Sequence, residues 1–174
     1  MKKILLLILS ILMIASTSLF ATLEHDMKPY TGSAEFERLK ALSGTWKGTS
    51  EMEGVKHDAA VQYYVTSNGS AVVEKLFPGT PHEMISVYYD KNGKPSMTHY
   101  CGLGNQPQMD LVSSNAQEMK FDFSPSSSVD ATKEAHMHSL TLKFDGNDKL
   151  IHDWKFFKDG SGSGDTIITL TREH

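Results

Sequence analysis

From Gly44 onward, turn signals recur about every ten residues, and this rhythm limits the fold more than any other feature of the chain. They are Glu53-Gly54, Asn68-Gly69, Pro78-Gly79, Asn92-Gly93, Gly102 to Pro107, Asn115, Pro125 to Asp130, Asp145-Gly146-Asn147 and Asp159 to Gly164. The segments between them are rich in Val, Ile, Thr, Tyr and Phe. Met119-Lys-Phe-Asp-Phe123 and Leu140-Thr-Leu-Lys-Phe144 alternate apolar and polar, and Thr166 to Thr171 has strand composition. Evenly spaced strands joined by short turns form a meander. A meander of about ten strands leaves exposed edges unless it closes on itself. No helical crossover segments exist to build a parallel sheet. The expected fold is therefore all-β: an antiparallel up-and-down barrel of about ten strands over residues 33–174.

One short helix should precede the barrel. Ser33 suits an N-cap, Glu35 and Glu37 suit the positive first turn, and Gly44 offers a stop. Phe36, Leu39 and Leu42 recur at helical spacing and give the helix one face to bury. Upstream, residues 22–32 carry Pro29 and Gly32 without any period and read as a flexible leader. Met1-Lys2-Lys3, an apolar run to about Phe20 and a small residue at Ala21 have the pattern of a secretory signal peptide over residues 1–21. The expected destination is the periplasm or the exterior, with no transmembrane domain in the mature form. Cleavage near Ala21 removes two lysines and no acids, so the mature net charge is 15 − 21 = −6 on 174 − 21 = 153 residues. Such a surface is a poor partner for nucleic acid. With Cys101 the only cysteine, no intrachain disulfide can form, and stability must come from packing and ladder hydrogen bonds.

Gly44-Thr-Trp46 sits at the start of the first strand and Arg172 at the end of the last. This resembles the lipocalin and calycin pattern, which implies that the tryptophan closes one barrel end beneath a terminal arginine stacked on its indole. Gly44-Thr-Trp-Lys-Gly48-Thr-Ser50 is also similar to the start of nitrobindin-type ten-stranded haem barrels, with Ser50 where those carry a third glycine. No counterpart of their haem-ligand histidine is identified. Leu76 to Met84 and Thr98 to Pro107 resemble segments of an uncharacterised group of secreted bacterial proteins.

Strict alternation along the strands points to residues that would line the lumen. His136 and His138 share a face with Leu140, Leu142 and Phe144; His99 and Cys101 share one with Met97; Glu74 shares one with Val72 and Leu76; His82 begins the next strand. Gathered on one cavity, Glu74, His82, His99, Cys101, His136 and His138 would make a polar cluster in an apolar pocket. His99, His136 and His138 are the candidate metal ligands, since imidazole suits zinc and copper. No cofactor is required by the sequence; zinc, copper and haem are the groups to test. His99 beside Cys101 would supply a base for a thiol, against which stands Cys101 as a small packed residue.

Three functions follow. The first is an exported barrel that holds a small, partly apolar molecule in its lumen. The second is a metalloprotein or enzyme using the His/Cys/Glu cluster. The third is an envelope structural or interaction protein with a filled lumen. Nothing in the sequence specifies an oligomeric state.

Overall fold

The computed structural model describes residues 28–174. The expected signal peptide and residues 22–27 of the leader lie outside the described residues. Thr31–His174 form one unit.

Ten strands follow a short helix, α1 (Ala34–Lys40). They are β1 (Gly44–Met52), β2 (Val55–Thr66), β3 (Ala71–Leu76), β4 (Met84–Lys91) and β5 (Lys94–Tyr100), then β6 (Gln108–Ser114), β7 (Glu118–Phe123), β8 (His136–Asp145), β9 (Lys149–Lys158) and β10 (Ser161–Arg172). Each strand pairs antiparallel with its neighbours in sequence, and β1 pairs with β10, so the sheet closes into a ten-stranded barrel without an open edge. The all-β, up-and-down architecture expected from the turn rhythm is the one observed, and it is consistent with a calycin-like barrel.

Local chemistry explains the hairpins. Glu53-Gly54, Asn92-Gly93 and Asp159-Gly160 each join two strands with both residues at positive φ, between 51° and 78°. That is the type I′ geometry, whose twist matches the twist of paired strands. Gly48 is needed for a different reason. A Cβ there would stand 1.8 Å from the Thr169 carbonyl oxygen, so only glycine lets β1 and β10 close the barrel at this point.

Ser33 caps α1 by accepting from the Phe36 amide, and its own amide and hydroxyl donate to Asp90 at the end of β4. Phe36, Leu39 and Leu42 are buried in the core together with Trp46 and Leu170. Trp46 is 1% exposed, and its indole N–H donates to the Leu42 carbonyl at 2.9 Å. The Arg172 guanidinium lies 4.2 Å above the indole ring and donates to the carbonyls of Ala41, Ser43 and Asn147. Stacking plus three main-chain bonds ties the α1–β1 turn to the last strand and plugs this end. The opposite end is framed by the β1–β2 hairpin, the Cys101–Gln106 loop and the β9–β10 hairpin.

Among the described residues no helix is long and apolar enough to cross a membrane.

Candidate functional site

The lumen contains a polar network within an apolar lining. Along β2, Ala59, Val61 and Tyr63 share the inner face; along β3, Val72, Glu74 and Leu76 do; along β9, Leu150, His152 and Trp154 do. Cross-strand register sets Tyr63 opposite Glu74, Glu74 opposite Ser86, and Ser86 opposite His99, which makes one row around the barrel wall.

The Glu74 carboxyl group is fully buried. Its Oε1 accepts from the Tyr63 hydroxyl at 2.7 Å and its Oε2 from the Tyr88 hydroxyl at 2.9 Å. Tyr63 has then spent its one proton, so its contact of 2.9 Å with His152 Nε2 requires the ring to donate. In the neutral ring this leaves His152 Nδ1 as a bare lone pair, 3.4 Å from Glu74 Oε1 and without a hydrogen-bond partner. Burial pulls the His152 pKa down against the attraction of Glu74. Burial and then Glu74 hold both tyrosines well above the ordinary tyrosine pKa, as hydroxyls that donate.

His99 continues the row. Its Nδ1 meets the Ser86 hydroxyl at 3.1 Å, its ring packs against Trp154 with centroids 4.8 Å apart, and its Nε2 has no partner. Burial lowers its pKa to about 4, opposed by Glu74, so the ring is neutral near pH 7. The Trp154 indole N–H is also without a partner, at 2% exposure. Three polar ring nitrogens thus stand unpaired in the barrel interior. Each such group costs about 1–3 kcal/mol.

The remaining lining is tightly filled. Val61, Tyr88, Met97, Met109, Met119, Phe121, Leu140 and Leu142 have no accessible surface. A void wide enough for water would leave surface on its walls, so side chains occupy the space beside these residues. Methionine is unbranched and can repack, and three methionines stand in this lining.

Two of the expected lumenal residues, Glu74 and His99, are in the network. Cys101 lies partly buried at the end opposite Trp46, where burial raises its thiol pKa. It shares a recess of about 430 Å³ with Met52, Leu103, Met137 and Phe156. His82 is exposed in the β3–β4 loop, where its amide is bonded to Thr80.

His136 and His138 are placed elsewhere, and a bulge is the reason. Leu142 and Leu140 pair with His152 and Trp154, but the register then slips, so Ser139 pairs with Lys155 and Met137 with Phe156. His138 is the extra residue. A bulge inserts one residue and reverses the alternation beyond it. Met137, not either histidine, continues the inward row and packs against the core. His138 stacks on Phe157 with centroids 3.8 Å apart, its Nδ1 is 3.0 Å from His136 Nε2, and its Nε2 is 3.7 Å from Asp122. His136 is buried, with Nδ1 2.7 Å from the Glu134 carbonyl. The expectation that both histidines point inward with Leu140 fails here. His99, His136 and His138 do not converge. Among the described residues no group of three His, Cys, Asp or Glu side chains is placed to hold a metal ion.

Sequence reasoning missed Tyr63, Tyr88, His152 and Trp154. For His152 and Trp154 the signal was present, because Leu150, His152 and Trp154 alternate in one strand. For the tyrosines it was not, since Tyr63-Tyr64 and Tyr88-Tyr89 each offer two choices.

A recess of about 640 Å³ on the plugged end is lined by Arg38, Trp46, Phe144 and Arg172. Its guanidinium groups are committed to main-chain carbonyls, those of Asn115 and Ala116 in the case of Arg38. It is a fold in the plug, remote from the network. Comparison of the chain with protein-family models and with curated protein sequences finds no match.

Proposed function

We propose that this protein is an exported binding barrel that takes a small, partly apolar molecule into its lumen. One observation carries the reading: His99 Nε2, His152 Nδ1 and Trp154 Nε1 are buried without partners beside the Glu74 network. A barrel selected only for packing would fill these positions with apolar side chains at lower cost. A guest with one polar group relieves that cost when bound. Methionines at Met97, Met109 and Met119 supply a wall that repacks around it.

The test is to purify the protein from its native host under non-denaturing conditions, extract it with organic solvent and compare the extract by mass spectrometry with that of a Glu74→Leu variant. A stoichiometric small molecule present only in the parent supports the reading. An empty parent protein, with no thermal stabilisation by any member of a panel of apolar and amphiphilic compounds, refutes it.

A second reading, a structural envelope barrel with a permanently filled lumen, is favoured by the absence of accessible surface on the lumenal lining. Amide exchange separates the two. A permanently filled barrel protects β5 and β9 up to the global unfolding free energy, whereas a binding barrel opens there below it.

A further inference from the structure

The end opposite the Trp46 plug leads toward the unpaired nitrogens. Met52, Cys101, Leu103, Met137 and Phe156 form the apolar wall of the recess there, Met52 and Leu103 more than half exposed, and Glu53, Lys158 and Asp165 line its outer rim. Alternate residues on a strand share a face. One such step back from Cys101, the residue just past the end of β5, is His99, and one from Phe156 along β9 is Trp154. The apolar recess and the two unpaired ring nitrogens therefore occupy successive layers of one barrel end. Met137 pairs with Phe156 in the recess layer and also packs against the core, and its three rotatable bonds let it move aside to connect the two layers.

Charge decides the chemistry of the guest. Lys158 stands at the outer recess, but neither lysine nor arginine is among the buried residues at the inner layer, where the head group would sit. Glu74 stands two strands from His99 in the same row, with the two backbones about 10 Å apart at the usual strand spacing. A carboxylate head would be desolvated there without a cation and would face a second carboxyl group. The Trp154 N–H is a donor only and needs an acceptor. His99, a neutral ring, adjusts its tautomer to a hydroxyl or a carbonyl.

Resting on the binding function proposed above, we infer that this barrel end is a site for a neutral amphiphile. Its hydroxyl or carbonyl head bonds to Trp154 Nε1–H and His99 Nε2, and its apolar chain lies along Met52, Cys101, Leu103, Met137 and Phe156.

The experiment is a set of titrations with 2-decanone, 1-decanol and decanoate at pH 7, followed by ¹⁵N–¹H NMR and calorimetry. The Trp154 indole N–H resonance reports directly on a new acceptor. The expected result is a downfield shift of that resonance with the ketone and the alcohol, together with shifts at Cys101, Leu103 and Met137. Decanoate should bind at least tenfold more weakly. Trp154→Phe should weaken 2-decanone about tenfold; if that variant does not fold, the indole resonance of the parent decides. Decanoate binding as tightly as the ketone overturns the neutral-head assignment and leaves the binding function standing. Shifts confined to Ala41, Trp46 and Asn147 overturn the location. Failure of all three probes to bind overturns the inference, while the extract of native protein judges the binding function separately.

Discussion

Removing the Glu74 carboxyl group should reverse the sign of what the Tyr88 hydroxyl contributes to stability. Tyr88 Oη donates to Glu74 Oε2 at 2.9 Å, and neither residue has accessible surface. In the parent protein Tyr88→Phe removes one buried hydrogen bond and should cost about 1–3 kcal/mol. Glu74→Leu leaves the hydroxyls of both Tyr63 and Tyr88 without their carboxyl acceptor. Tyr63 keeps a partner, since its hydroxyl can donate to His152 Nε2 at 2.9 Å when the ring changes tautomer, so the stranded group is that of Tyr88 and the cost is about 1–3 kcal/mol. That is a large share of the stability of a domain, about 5–15 kcal/mol. In the Glu74→Leu background Tyr88→Phe removes a group that is already stranded, so it should be neutral or stabilising. The double-mutant cycle should therefore show a coupling of about 2 kcal/mol or more. Urea unfolding followed by tryptophan fluorescence and by circular dichroism measures all four proteins, with equal m-values confirming that the barrel still unfolds as one unit. If Tyr88→Phe costs the same in both backgrounds, the hydroxyl does not depend on Glu74 and the network described here is wrong.

Three further outcomes are expected. Gly48→Ala should destabilise by about 3 kcal/mol or more, the upper range for overpacking, because its Cβ meets the Thr169 carbonyl oxygen at 1.8 Å; a melting temperature equal to that of the parent would contradict the close approach of β1 and β10. Trp46→Ala should cost about 3–5 kcal/mol in denaturant melts, since it empties a fully packed site and removes the platform under Arg172; a cost near zero would refute the plug. Acid should weaken the fold through His99, whose pKa is about 4 when folded against an ordinary 6.5. Between those values the unfolded chain binds more protons, so stability is undiminished above about pH 6.5 and falls by about 3 kcal/mol on approaching pH 4. His152, lowered by burial, adds in the same direction. Urea midpoints at several pH values for the parent and for His99→Gln check this, and equal slopes for the two would exclude His99 as a source.

The strand meander, its closure, α1 and the Trp46–Arg172 pairing were legible in the chain because each depends on short-range chemistry or on an element count. Asn92-Gly93 turns as it does because of its own backbone preferences, whatever surrounds it. Ser33 caps α1 because its hydroxyl reaches an amide three residues away. Closure follows from the cost of two unpaired edges on a long meander.

The candidate site was legible only in part. Glu74 and His99 were found because β3 and β5 keep strict alternation. His136 and His138 were misplaced because alternation is blind to an inserted residue, and nothing in the Ala135–Ser139 composition marks the bulge. Whether the lumen is empty or filled was also beyond the sequence. It depends on how the inward side chains of all ten strands share one volume, which register alone decides. The same is true of the unpaired nitrogens of His99, His152 and Trp154. A hydrogen bond forms or fails over tenths of an ångström, between residues up to 89 positions apart, as with Tyr63 and His152. Periodicity selects the face a residue takes; only the closed barrel sets which groups meet across it.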